Sequence, residues 1–469
     1  ARASQIVAAL AVSMCSYCVG NAVAYTSPAL PSMTNENQTH FSVSPQEASW
    51  VGGIMPLAGL TGGICGGPLI MYLGRKRTAM MTFVPFIVGW LLIANAAAVS
   101  MVLTGRTLCG YAVGVASLAM PVYLGEVIHP LIRGVLGLLP TLIGNMGMLL
   151  CFVVGSFTTW WQLAFVSGAM CIPFFVLLML VPESPRWYLA SGKTEKAANA
   201  LARLRRQDAN VSDELKEMVK SMGDVTDTPS CKELFQKKYC RAVSIAVALM
   251  VFQQLSGINA VIFYTVMIFD LSGSTIDSHL SAIIVGVVNF MATLIATFII
   301  DLAGRKMLLY ISAIAMSMTL LVLTAFFYVK SNGVNMSDIS WVPLVSFMIY
   351  VLGFSMGFGP IPWLMMGEIL PSRIRGPAAS VVVGSNWGCT FIVTKTFQDL
   401  IGEPPKLFPL SHQSNARLFL RSDYAGAHGA FGFFCFICIM AIVFIKLVVP
   451  ETKNKSLEQI EEELTGVAA

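Results

Sequence analysis

Long apolar runs alternate with short polar joints along almost the whole chain. Runs of about 20 residues, the length that crosses a bilayer as helix, recur some twelve times, centred near residues 15, 60, 89, 113, 144, 171, 255, 290, 318, 354, 386 and 438. They are continuously apolar rather than alternating. Backbone groups in lipid must be satisfied internally, which leaves helices or closed barrels, and continuous runs favour helices. The expected fold class is therefore all-α membrane protein, with twelve transmembrane helices in two six-helix halves. The first half spans 1–182 and the second 241–450, with a polar linker at 183–240 and a tail at 451–469. Within the linker, Glu195 to Arg206 and Asp213 to Lys220 read as short amphipathic surface helices.

Composition agrees. The hydrophobic fraction is 56% and the charged fraction 12%, against about a quarter charged in soluble chains. So few charges cannot solvate a globule of 469 residues. A cleavable leader is not expected, because the first apolar run lacks a small-residue cleavage pattern after a basic start.

Charge placement says more than the net value of +5. Alternation of helix ends puts 73–77, 125–133, 183–240, 303–306, 370–376 and 450–469 on one side. With Arg2 and the helix-end residues Arg241 and Lys446, that side holds 24 of the 30 Lys and Arg. Basic residues stay cytoplasmic, so both termini and the linker are expected in the cytosol. The stretch 193–241 alternates basic with acidic residues and lacks interleaved aromatics, so it predicts a solvated linker and no nucleic-acid partner. Trp50, Trp160, Trp161 and Trp341 fall at expected outer helix ends, where indoles favour the headgroup level. Of four Asn-x-Ser/Thr triplets, Asn210 and Asn454 lie on the cytosolic side, whereas Asn37 and Asn335 lie outside as candidate glycosylation sites. Residues 402–424 form a polar outer loop that breaks the charge pattern.

Eleven cysteines mostly lie inside apolar helices. Cys15 and Cys18 form a CxxC within such a helix, where packing is the simpler reading. No His cluster, Gly-rich phosphate loop or nucleophile–base set is visible, so neither an enzyme, a cofactor nor a metal is expected.

Several motifs occur twice, in the same order. Gly74-Arg75-Lys76 recurs as Gly304-Arg305-Lys306. Glu126 followed by Arg133 recurs as Glu368 followed by Arg375, and Glu183 after Pro182 recurs as Glu451 after Pro450. These residues could simply anchor topology. Their duplication points further, to charge-assisted pairs across the cytoplasmic surface that hold that face closed and break when it opens. Two similar halves around a central site suggest a transporter that rocks one half against the other.

A second group lies inside the membrane, where polar residues are costly and face the interior. Gln253, Gln254 and Asn259 sit in the seventh span and Asn289 in the eighth. Trp363 follows Gly359-Pro360-Ile361-Pro362 in the tenth, and Asn386 and Trp387 lie in the eleventh. Amides donate and accept, as sugar hydroxyls do, although interhelical hydrogen bonding is the plainer use. Gln254 and Asn259 are five residues apart, about 140° around an ideal helix. Both can face one cavity only if the helix breaks, plausibly at Gly257. A proton-driven carrier needs a titratable group deep in the membrane. The first span, Ile6 to Ala24, has no acid, which favours passive facilitation. Lys395 and Asp399 can pair with each other at i,i+4.

These motifs resemble the sugar porters of the major facilitator superfamily. The resemblance covers nearly the whole chain through Gly-Arg-Lys in both halves, Gly105-Arg106, Pro182-Glu183-Ser184-Pro185-Arg186-Trp187, Gln253 to Asn259, Gly359 to Trp363 and Pro450-Glu451-Thr452. It implies twelve helices, alternating access and sugar transport. Its sugar-contacting positions match Gln253, Gln254, Asn259, Asn289, Trp363 and Asn386. Stretches such as Tyr25 to Leu30 and Ser49 to Leu57 look like the insect facilitated trehalose transporters. Where hexose carriers have a Gln, a Glu and a second Asn, this chain has Thr141, Ser355 and Thr390. Ala22 replaces the first-span acid of proton symporters. Thr141 and Ser355 are smaller than what they replace, whereas Thr390 is of similar size and loses the amide; the result implied is a larger cavity, suited to a disaccharide. The expectation is a monomeric plasma-membrane uniporter for trehalose. A hexose carrier is the alternative. A sugar-sensing receptor is less favoured, because only about 20 residues follow Pro450.

Overall fold

The computed structural model describes residues 2–35, 37–129, 132–205, 211–222, 233–234, 236–263, 265, 277–334, 336–371, 374–401, 413–453, 455 and 457–465. Within these, the backbone alone is described for residues 2, 3, 133, 211, 213, 217, 220–222, 301, 337, 398–401, 413–426, 457, 458 and 465. Asn210, Asn335 and Asn454 lie outside the described residues.

Ten helical stretches are long and apolar enough to cross a bilayer. In the first half they are Ser4–Met33, Pro45–Tyr72, Arg75–Ala94, Val99–Val127, Gly134–Gly155 and Trp160–Leu180, the first to sixth passes. In the second they are Ser278–Ile300, Arg305–Ser331, Val342–Ile369 and Ala427–Leu447, the eighth, ninth, tenth and twelfth. Two further helices complete the twelve. The eleventh pass is Arg375–Ile401, and the seventh begins as Lys237–Leu255. Both are diluted by the polar residues that the sequence assigns to the site. The twelfth pass belongs to a helix that starts at Gln413. The polar loop expected over 402–424 is thus helical from 413 onward, and 402–412 lie outside the described residues. In the linker, helices occupy Thr194–Arg205 and Val211–Met222, close to the two expected.

Each half packs on itself and then on its mate. The first pass lies on the fifth and the second on the fourth; between halves, the second lies on the eleventh and the fifth on the eighth. The second–eleventh seam is tight: a Cβ on Gly67 would stand 2.0 Å from Ser380 Oγ. At the end away from the linker, Lys395 Nζ donates to Ser49 Oγ at 2.6 Å and lies 5.5 Å from the Trp50 ring centre. Lys395 therefore reaches the first half rather than standing only beside its own helix. Trp161 and Trp341 are exposed at that end. Trp160 is not: it is buried, and its Nε1 donates to Thr39 Oγ1 at 3.0 Å. Asn37 is exposed in the same loop.

Candidate functional site

Two helix breaks build the site. The seventh pass stops at Leu255, turns through Ser256 and Gly257, and resumes over 258–263. Gly257 has φ +93°, a conformation that costs an L side chain about 1–2 kcal/mol. A Cβ there would also lie 2.3 Å from the Phe434 ring. The Tyr350 hydroxyl donates to the Ser256 carbonyl at 2.9 Å, satisfying a group that the break frees. The break turns Asn259 back onto its predecessor, and Asn259 Nδ2 donates to Gln254 Oε1. The sequence-based expectation of a break at Gly257 is met.

The tenth pass breaks in parallel. Helix Val342–Met356 ends, and helix Ile361–Ile369 begins after Pro360. The break frees carbonyls, and Gln253 takes two of them. Its Nε2 donates to Phe358 O at 2.6 Å and Gly359 O at 2.9 Å. Gln253 Oε1 accepts from Asn386 Nδ2 at 2.9 Å and from Gln254 Nε2 at 3.2 Å. One buried amide thus joins both breaks to the eleventh pass and has spent both its hydrogens. An amide has two donors and two acceptor lone pairs, so Gln253 holds the site together and has little left to offer a ligand.

These residues line a central cavity of about 230 Å³ between the halves. Gln253, Gln254, Asn259, Asn289, Ser355, Trp363, Asn386 and Thr141 all reach it, as does Trp387. Thr390 does not. It is fully buried one step behind, accepting from Asn259 Nδ2 at 3.2 Å and donating to Asn386 O at 2.9 Å. The Trp387 indole N–H is buried and has no protein acceptor among the described residues. Asn289 Oδ1 accepts from Ser355 Oγ at 2.6 Å and from Asn145 Nδ2 at 3.1 Å. Asn145 and Thr293 also line the cavity, and sequence reasoning missed both. A signal existed: Asn145 lies four residues after Thr141, on the same helix face.

The repeated charges form two matching networks at the linker-side ends of the helices. In the first half Arg75 Nη2 meets Glu126 Oε1 at 2.7 Å, and Ser184 Oγ donates to Glu126 Oε2. In the second Arg305 Nη2 meets Glu368 Oε1 at 3.1 Å, and Thr452 Oγ1 donates to Glu368 Oε2 at 2.7 Å. Gly74 and Gly304 carry φ values of +98° and +86° and start the following helices. The carboxylates of Glu183 and Glu451 accept from the first backbone N–H groups there. Glu183 Oε1 takes Lys76 N at 2.8 Å, and Glu451 takes Arg305 N at 3.1 Å and Lys306 N at 3.0 Å. This is the favourable seat for an anion at a helix N-terminus. Lys76 Nζ and Lys306 Nζ donate to the carbonyls of Met179 and Lys446, both at 3.2 Å.

One expectation is corrected. The two ion pairs lie within each half, not across the interface, because each Gly-Arg-Lys turn abuts the helix carrying the Glu of its own half. At this end charge also reaches across, where Arg375 acts electrostatically on Glu126. Arg375 also donates to the Leu370 carbonyl at 3.2 Å. The Arg133 side chain lies outside what is described.

Arg106 is fully buried among the first and second passes. Its Nη1 donates to the carbonyl of Ala22 at 2.7 Å, its Nη2 to Thr26 Oγ1 at 2.8 Å and its Nε to Val51 O at 3.3 Å. Among the described residues no group of His, Cys, Asp and Glu is arranged to hold a metal.

Two six-helix halves enclosing an amide-rich cavity, with helix breaks at its wall, define a multi-pass membrane carrier. The chain belongs to the Sugar (and other) transporter family, whose model matches residues 6–464. It is 56% identical over 466 residues to the facilitated trehalose transporter Tret1 of Drosophila pseudoobscura pseudoobscura, covering 99% of this chain and 51% of that protein. It is 55% identical to Tret1 of Culex quinquefasciatus, covering 86% of that protein. The chain thus spans about half the length of most of the fruit-fly relatives it matches. Among solved structures, it resembles the proton:xylose symporter XylE bound to 6-bromo-6-deoxy-D-glucose, with TM-score 0.82, 25% identity and 99% of each chain covered. Against the inward-open XylE of E. coli the TM-score is 0.69, at 25% identity over 97% of this chain and 99% of that one. Its family is one of transporters, not enzymes.

Proposed function

We propose that this chain carries trehalose down its gradient by alternating access, as a uniporter of the plasma membrane with its linker and termini in the cytosol. The observation that carries this reading is the set of amides, hydroxyls and indoles gathered at two helix breaks, in a chain 56% identical to proteins named for facilitated trehalose transport. Gln254, Asn259 and Asn386 present polar groups to hydroxyls, Trp363 and Trp387 present ring faces and an indole N–H, and Thr141 widens the first-half wall. Gln253 and Thr390 act from behind them, and Asn289 with Ser355 ties the eighth pass to the tenth. That Ala22 supplies a carbonyl to Arg106 where proton symporters carry an acid supports a passive cycle. The functional unit is one chain, and the exposed Asn37 carries a glycan.

Uptake of labelled trehalose and labelled glucose into cells expressing the chain, with and without a proton uncoupler, tests this. Trehalose uptake that survives the uncoupler is expected. Glucose uptake without trehalose uptake would overturn the substrate and leave a hexose carrier; loss of uptake with the uncoupler would overturn the uniport.

A further inference from the structure

The fifth and eighth passes bring the two halves face to face, and Asn145 spans that seam. Its Nδ2 donates to Asn289 Oδ1 at 3.1 Å and to Thr293 Oγ1 at 2.7 Å, both in the second half. The network fixes the amide's orientation. Thr293 has committed its hydroxyl hydrogen to the Asn289 carbonyl at 2.9 Å. Asn289 Oδ1 takes the Ser355 hydroxyl at 2.6 Å as its second donor. With Asn289 placed as it is, a flipped Asn145 amide would turn its oxygen onto Asn289 Oδ1 with no hydrogen between them, whereas the N–H₂ group meets both acceptors. Both Asn145 hydrogens are therefore used, and its Oδ1 is an acceptor only. Asn145 is half-buried and lines the cavity, and among the described residues no protein donor reaches that oxygen.

The remaining polar lining of the first half is sparse. Ser16 Oγ donates to Met120 Sδ at 3.2 Å and Ser117 Oγ to its own helix at Val113 O, 2.8 Å. Around them stand Val19, Val23, Leu124 and Pro140. Thr141 adds a hydroxyl, and among the described first-half side chains that reach the cavity Asn145 is the sole amide.

We infer that Asn145 is a specificity-determining residue: its carbonyl oxygen accepts a hydrogen bond from one sugar hydroxyl while its N–H₂ group ties the first half to Asn289 and Thr293. The inference rests on the sugar-carrier reading above and goes beyond it, because it assigns a contact on the first half and its chemical sense. A lone acceptor selects a hydroxyl that donates. It rejects a deoxy position and an O-methylated one alike, because neither brings a hydrogen, and a site built to bond a hydroxyl discriminates against analogues that lack it. The sugar is then gripped by both halves through one connected set of side chains, so substrate identity is read at the seam that must rock.

The test pairs protein variants with ligand variants. Wild type, Asn145→Leu and the milder Asn145→Thr are compared, normalised to protein at the cell surface. Inhibition of labelled-sugar uptake is measured for the parent sugar and its 2-, 3-, 4- and 6-deoxy analogues. In wild type, removing the hydroxyl that meets Asn145 should weaken inhibition about tenfold, the scale of one buried hydrogen bond. In Asn145→Leu that one penalty should vanish while those at other positions persist, a coupling that a general loss of packing cannot produce. Should Asn145→Leu fail to reach the surface, Asn145→Thr is read the same way, with the one penalty changed and the others kept. Deoxy penalties that are identical in wild type and variant would overturn the inference. The panel is run on trehalose and on glucose: wild type that carries glucose alone overturns the trehalose reading, and the Asn145 coupling is then read on the glucose analogues.

Discussion

Replacing Gln253 by Leu separates two roles that a binding assay alone would merge. The side chain holds Phe358 O at 2.6 Å and Gly359 O at 2.9 Å, and accepts from Asn386 Nδ2 at 2.9 Å. Leu matches its bulk but offers no polar atom, so two carbonyls of the tenth-pass break lose a donor they cannot replace from their own helix. Each unsatisfied buried group costs about 1–3 kcal/mol, giving about 2–6 kcal/mol for the pair. The lower end applies because cavity water can reach the site. The assay is thermal unfolding of purified protein in detergent, with and without sugar. A residue that served only as a ligand would leave the sugar-free protein untouched and abolish the stabilisation by sugar, which follows from linkage. A clasp lowers the sugar-free melting temperature itself. Gln254→Leu, which breaks no contact to the tenth pass, should lower it less. A sugar-free Gln253→Leu protein that melts with wild type would refute the reasoning.

Gly257→Ala should fold poorly, because it forces a φ of +93° on an L residue and puts a methyl 2.3 Å from Phe434. Adding Phe434→Leu should recover part of the surface expression and not all, since it relieves the contact but not the backbone. Glu368→Gln leaves the Arg305 guanidinium buried beside a neutral amide, and losing one partner of a buried pair costs about 3–5 kcal/mol. Its effect should appear in the ratio of uptake to efflux more than in total sugar binding; equal changes in both would count against a gating role. Glu126→Gln should behave alike, since Arg75 and Ser184 repeat the arrangement.

The fold was legible because lipid leaves so few options. Continuous apolar runs of spanning length permit helices, and ten of the twelve appear as long apolar passes, while the other two carry polar residues of the site, Gln253 and Gln254 in one and Asn386 in the other. The Gly257 break was legible too, because 140° of separation cannot serve one cavity on an intact helix. What Gln253 does was not legible. Its partners, Phe358 and Gly359, are backbone carbonyls more than a hundred residues away, and a freed carbonyl leaves no trace in residue identity. The pairing of charges was not legible for a related reason: the repeat names the charged positions, but not which of them pair, nor whether they meet within a half or across it. Asn145 was overlooked as a solitary amide among apolar neighbours, although its spacing from Thr141 marked the face.

That the ion pairs stay within their own halves has an electrical consequence. Carrying one elementary charge through 100 mV of membrane potential takes about 2.3 kcal/mol. Arg75 travels with Glu126 and Arg305 with Glu368, each counterion within about 3 Å, so a rocking half moves short dipoles and almost no net charge. These four residues therefore add nothing appreciable to the voltage dependence of the cycle. As far as they are concerned, the cycle proposed above would run at the same rate at a resting and at a depolarised membrane potential.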